Sequence, residues 1–225
     1  MIKRTSREHV LKILEDNQYD WNILDIGCNR DAVMYAQTVA DIQDLSEFYK
    51  NKDKNFVLIE DKKLPFKDNQ FDFIYASHVI EHVDDVAYFI SELQRISKKG
   101  YIELPSMLED NIVLSENNIK DHKWFFQFDD VHNILLAEKK KQLIEPFITH
   151  GVLFGSLRKN FRSSLVLELL WEDKIDYEFK EITVQAKKPY FLSIIKKYFS
   201  YVIRTNKVVS SITFAILIFL IIKFF

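Results

Sequence analysis

Residues 78–82 read His78-Val-Ile-Glu81-His82, an H-x-x-E-H spacing that puts two imidazoles and a carboxylate on one helical turn. Taken alone, that is the ligand pattern of one class of zinc peptidase. Such a site also needs a third protein ligand and an open coordination position. Acidic residues follow downstream, but no spacing marks one of them, so no metal is expected. A second set of candidates stands at the ends of apolar runs. ILDIGCNRDA, residues 23–32, closes an apolar run with Asp25-Ile-Gly27 and then turns. Glycine there lets the backbone approach a ligand or serves the turn alone, and the carboxylate orders a loop or meets a cationic group. Asp41 follows Asp25 by sixteen positions and ends the next apolar run. In nucleotide-binding sheets an acid at that point accepts both ribose hydroxyls, a bidentate role that needs a carboxylate. Glu60 and Asp61 end a third run, where an acid reads an adenine edge; beside Lys62 and Lys63, Asp61 reads more simply as a solvated loop.

The elements that must hold these residues follow from periodicity. Short apolar runs at 22–26, 38–42, 55–59, 71–77 and 100–104 predict strands, and Val86, Phe89, Ile90, Leu93 and Ile96 predict a helix over 83–97. Strand and helix in alternation predict a parallel sheet with helices on both faces. Its ligands bind at the carboxyl ends of the strands. Residues 1–16 read as a charged helix with Val10, Leu11 and Leu14 on one face, and not as a secretory leader. After Pro105 the pattern predicts two hairpins, 123–128 with 133–138 and 165–171 with 175–184. These antiparallel strands either finish the sheet or cap it.

ILDIGC, then Asp41, then LPFKDNQFDFIYASHVIEHVDD from residue 64 and SELQRISKKGYIELPS from residue 91 resemble the class I S-adenosylmethionine-dependent methyltransferases, over residues 23–106. GYIELPS followed by DHKWFF is similar to a subset found among bacterial cell-surface and polysaccharide genes. The resemblance implies a Rossmann-like α/β fold that binds S-adenosylmethionine through Asp25, Gly27, Cys28, Asn29, Asp41, Glu60, Asp61, Ser77 and His78. It also makes residues 78–82 the exit of the fourth strand and the start of the next helix, without metal, with Glu81 and His82 on the first helical turn. Where the family pattern has glycines after the cysteine, this chain has Asn29-Arg30-Asp31. Asn29 tolerates the left-handed backbone that glycine provides. The link from there to Asp41 leaves room for only a brief first helix.

A sulfonium methyl is already activated, so the protein must align a nucleophile with it and exclude water. A base is needed when the nucleophile is a hydroxyl, and His82 and His122 are the candidates. Trp124, Phe125 and Phe126 line a substrate pocket or pack in the core.

With 225 residues, 48% hydrophobic and 28% charged, the chain suits one full domain with extra material. A net charge of −2 gives no overall attraction to nucleic acid, and one cysteine excludes an intramolecular disulfide. Residues 1–188 are expected to form the methyltransferase domain, residues 189–206 a basic amphipathic juxtamembrane helix, and residues 207–225 a transmembrane anchor. After Glu181 no acid remains, while Lys187, Lys188, Lys196, Lys197, Arg204 and Lys207 accumulate, which predicts a cytoplasmic catalytic domain by the positive-inside rule. A hydrophobic C-terminal hairpin within an oligomer is the other reading of the tail. The expected activity is methyl transfer to a small-molecule, lipid or polysaccharide-precursor acceptor at the membrane. The alternative is a catalytically inactive binding or scaffold module on the same fold.

Overall fold

The computed structural model describes residues 1–112, 121–140, 159 and 162–180, all within the compact unit Met1–Thr183. Its centre is a run of parallel strands, β2 (Ile23–Ile26), β3 (Thr38–Asp41), β4 (Asn55–Leu58), β5 (Phe73–Ser77) and β6 (Lys99–Pro105). With the edge strand β1 (Ile2–Arg4) and the late strand β9 (Val166–Glu172) they form a seven-stranded sheet in the order β1-β9-β6-β5-β2-β3-β4. β9 runs antiparallel to both of its neighbours. The order reverses direction beside β2, between β3 and β5, and that is where an open α/β sheet leaves a crevice for a ligand.

Side chains alternate between the two faces of each strand. Leu24, Ile26, Ile74, Ala76, Ile102 and Leu104 face one core, with Val86, Ile90, Leu93 and Ile96 of helix α3 (Val86–Ile96). Ile23, Val39, Phe73, Tyr75 and Tyr101 face the other, under Val10 and Leu14 of helix α1 (Arg7–Asn17). The same alternation places Asp25, Glu103 and Glu168 among the aromatic residues of the α1 face, since Asp25 pairs with Tyr75, Tyr75 with Tyr101, and Glu103 with Glu168. Gly100 is required by packing: a Cβ there would lie 2.5 Å from Trp171 Nε1 and 2.8 Å from the Ile74 carbonyl.

A second sheet has three strands, with β7 (Trp124–Asp129) and β8 (Ile134–Lys139) antiparallel and β10 (Tyr177–Phe179) parallel to β8. Trp124, Phe126, Phe128, Leu135 and Ala137 pack into the α3-side core, so this sheet caps that face.

Several expectations are corrected. The second hairpin does not form, because both edges of β9 are already taken by β6 and β1, and β10 joins the free edge of β8. The N-terminal helix is shorter than read: Ile2 is fully buried in an edge strand, and α1 starts after Ser6, whose Oγ accepts the His9 N–H. No helix follows the Gly27 turn; residues 27–37 are irregular, and the short helix α2 (Ser46–Tyr49) comes only after β3. α3 begins at Val86, where Asp85 caps the Tyr88 N–H, and residues 83–85 lead into it. The C-terminal amphipathic and transmembrane helices lie outside the described residues, and among the described residues no helix is long and apolar enough to cross a membrane.

Candidate functional site

The carboxyl ends of β2, β3 and β5 meet around Gly27. Its φ of +70° is left-handed, and its N–H donates to the Ala40 carbonyl at 2.8 Å, tying the turn to β3. A Cβ at this position would stand 2.3 Å from Val79 Cγ2, so the loop lies directly against the exit of β5. Asn29 is also left-handed, at φ +44°, as its type allows. Its N–H donates to Asp41 Oδ2 at 2.9 Å, and the Gln43 N–H donates to Asp41 Oδ1 at 2.9 Å. Asp41 therefore already spans the two loops that flank the crevice, with acceptor capacity left on each oxygen. Asp25 is buried and accepts the Val33 N–H at 2.6 Å, so its carboxyl orders the far side of the loop. Burial pushes its pKa up to about 7, against the opposing bond from Val33. Cys28 is also buried, which raises its thiol to about 11.

After β5 the chain passes through His78, left-handed at φ +55° and the only such residue besides glycine, asparagine and aspartate among the described residues. Strain of this kind persists where surrounding contacts over-determine it. Here the His78 N–H donates to the Glu103 carbonyl at 2.8 Å, and the ring lies between Glu81 Oε1 at 3.1 Å and Glu103 Oε1 at 3.5 Å. Burial alone would lower the imidazole pKa; the bonds and charges of Glu103 and Glu81 outweigh it and raise it to about 9. Burial would raise Glu103, but His78, the Tyr101 hydroxyl at 2.6 Å and Arg162 at 3.0 Å hold it at about 2. Arg162 also bonds Glu168 at 3.2 Å, so charge balance under the β6 terminus is supplied from β9 and the turn before it.

Residues 80–82 form one 3₁₀ turn. Glu81 is fully buried and His82 exposed. The approach to β7 is stitched onto this turn, the Lys123 N–H donating to the Glu81 carbonyl at 2.7 Å and Trp124 Nε1 to the Val83 carbonyl at 2.9 Å. This brings His122 beside His82, with ring centroids 4.7 Å apart. His122 is buried and bonds Asp110 Oδ1, from helix α4 (Met107–Ile112), at 2.7 Å.

The fold thus gathers Gly27, Cys28, Asn29, Asp41, Ser77 and His78 around one crevice, with Asp25 beneath, and joins His82 to His122 at its β5 side. Glu60 and Asp61 are exposed beyond the end of β4. Trp124, Phe125 and Phe126 are buried, so they act as packing residues. Sequence reading passed over Lys54, whose Nζ donates to the carbonyls of Val33, Met34 and Ala36 and so replaces a helix in shaping the loop. It also passed over the Glu92–Arg95 pair. Arg95 donates to Glu92 at 2.7 Å and to the Phe66 and Leu64 carbonyls at 2.7 and 3.1 Å, which ties the LPF segment to the Arg of R-x-x-K-x-G. Nothing local in sequence couples residues so far apart.

The strand order, the Gly27 loop and the Asp41 terminus define a Rossmann-like α/β fold with a mixed sheet. The family model described as a methyltransferase domain matches residues 24–102, which spans β2 into β6 and includes the whole crevice. Similar solved structures include a SAM-dependent methyltransferase from Thermotoga maritima, described as a possible histamine N-methyltransferase, at 18% identity over 43% of this chain and 50% of that one, TM-score 0.37. This chain therefore spans about half the length of the Thermotoga protein. A SAM-dependent methyltransferase from Aquifex aeolicus is 13% identical over 74% of this chain and 89% of its own, TM-score 0.41. A protein from Pyrococcus horikoshii is 15% identical over 76% and 93%, TM-score 0.42. A comparison with curated proteins finds no match.

Proposed function

We propose that this chain is an S-adenosylmethionine-dependent methyltransferase acting on a small-molecule, lipid or saccharide acceptor at the cytoplasmic face of a membrane. The observation that carries the catalytic part is the Gly27 loop, bound to Asp41 through Asn29 and pressed against Val79 at the exit of β5. S-adenosylmethionine supplies an electrophilic methyl on a sulfonium. The chain's residues have the remaining tasks: Asp41 offers its free acceptor positions to vicinal hydroxyls, and Ser77 and His78 border the crevice between β2 and β5. His82 and His122, whose rings are side by side, are the bases that would take the proton of an acceptor hydroxyl. Asp110 orients the His122 ring.

The membrane part rests on sequence: the apolar residues 208–225, with Lys223 their only charge, and the basic residues before them. Confinement of enzyme and acceptor to one surface raises their encounter without any new contact. An inactive binding module is the second reading, favoured by Asn29-Arg30-Asp31 and by the absence of a helix after the loop. Calorimetric titration of the full chain with S-adenosylmethionine and S-adenosylhomocysteine tests the site. Micromolar binding of both, lost in Asp41→Ala, supports the methyltransferase reading, and no binding by folded protein refutes it. Methyl transfer to membrane extracts then separates enzyme from module.

A further inference from the structure

The H-x-x-E-H motif does not assemble as its spacing suggests: the His78 ring lies between Glu81 and Glu103, while the His82 ring stands against His122. In place of His78, the fold brings in His122. Donor atoms of Glu81, His82 and His122 all lie within 4.8 Å of one another. We propose that these three residues bind a divalent transition-metal ion, with a coordination position open to an acceptor oxygen.

Each ligand is prepared by a neighbour that fixes which atom remains available. The His82 Nδ1 lies 3.1 Å from the Asp121 carbonyl, which can only accept, so Nδ1 carries the hydrogen and Nε2 keeps its lone pair. His122 Nδ1 lies 2.7 Å from Asp110 Oδ1, the carboxylate–histidine arrangement that orients metal-bound imidazoles. Glu81 is fully buried; Oε1 is held by His78, and Oε2 has no hydrogen-bond partner among the described residues. An orphaned carboxylate oxygen in the interior is costly, and a cation beside it removes that cost. Two imidazoles with one carboxylate suit zinc or ferrous iron, not magnesium, which prefers an all-oxygen shell. Metal–ligand distances of about 2.0–2.2 Å require the donors to close to roughly 3.3 Å, from a present separation of at most 4.8 Å.

The role of the ion, which rests on the methyltransferase reading, is to hold the acceptor hydroxyl and lower its pKa so that the proton leaves to solvent. The oxygen then forms a bond to the methyl carbon while the S–C bond breaks, its electron pair staying on sulfur. A sulfonium and an alkoxide become a thioether and an ether. In this scheme the two histidines act through the metal and not as free bases.

The test uses full-length protein stripped with chelator and titrated with Co²⁺ alone, followed by visible absorption, then by Zn²⁺ competition. One equivalent of Co²⁺ with d–d bands, displaced by Zn²⁺, is expected. Affinity should fall at least tenfold in His82→Ala, whose exposed side chain can be removed without touching the core, and about 10–100-fold in Asp110→Asn. Substoichiometric binding, or binding that His82→Ala and Glu81→Gln leave unchanged, overturns the proposal. S-adenosylmethionine titration of the metal-free protein is independent of this outcome, so loss of the metal site and failure of the cofactor site are told apart.

Discussion

Replacing Gly27 by alanine probes the contact on which the crevice depends. Two separate costs are expected. The left-handed φ of +70° penalises an L side chain by about 1–2 kcal/mol. The new Cβ, 2.3 Å from Val79 Cγ2, overpacks the β5 exit by about 1–3 kcal/mol. Together Gly27→Ala should destabilise the protein by about 2–5 kcal/mol. Val79→Ala removes Cγ2 and leaves Cβ at 3.4 Å, close to ordinary contact, so only the backbone cost remains in that background. A double-mutant cycle by urea denaturation should therefore show a coupling of about 1–3 kcal/mol between the two positions. S-adenosylmethionine affinity, measured on the folded fraction, should fall in Gly27→Ala and partly return in the double variant. If Gly27→Ala costs the same in both backgrounds, the loop does not rest on Val79 and the geometry of the site is wrong.

Asp41→Ala should lower stability as well as cofactor affinity, by about 3 kcal/mol from two charge-assisted bonds to the amides of Asn29 and Gln43; unchanged denaturant midpoints would contradict this. Asp25 gives a pH signature. Its folded pKa, raised from 3.8 to about 7, means the native state holds a proton that the unfolded chain releases, so stability falls as pH rises from about 4 to 7. At about 1.4 kcal/mol per tenfold, the effect is on the order of 4 kcal/mol at most. Asp25→Asn keeps an acceptor for Val33 and should gain stability relative to wild type across that window; parallel pH profiles for the two proteins would refute the assignment. Arg95→Leu leaves Glu92 buried without its partner and frees the Leu64 and Phe66 carbonyls, which should cost about 3 kcal/mol in thermal or urea unfolding.

What the sequence determined by itself was local. Apolar runs of strand length, Asp25-Ile-Gly27 and Asp41 at the ends of successive runs, and the tolerance of Asn29 for positive φ were all legible, because each depends on side-chain alternation or on the backbone preference of one residue. The parallel sheet and the crevice at its carboxyl edge followed from these. Tertiary structure decided what depends on free edges and long-range partners. β10 could not pair with β9, since both edges of β9 were occupied. Lys54, just before β4, took over the shaping of a loop that has no helix. The meaning of His78-Val-Ile-Glu81-His82 changed most: with a φ of +55°, His78 sets its ring between Glu81 and Glu103, and His122 stands beside Glu81 and His82. Spacing fixes neighbours along one helix, but the partner of a buried carboxylate comes from whichever strand the core packs against it.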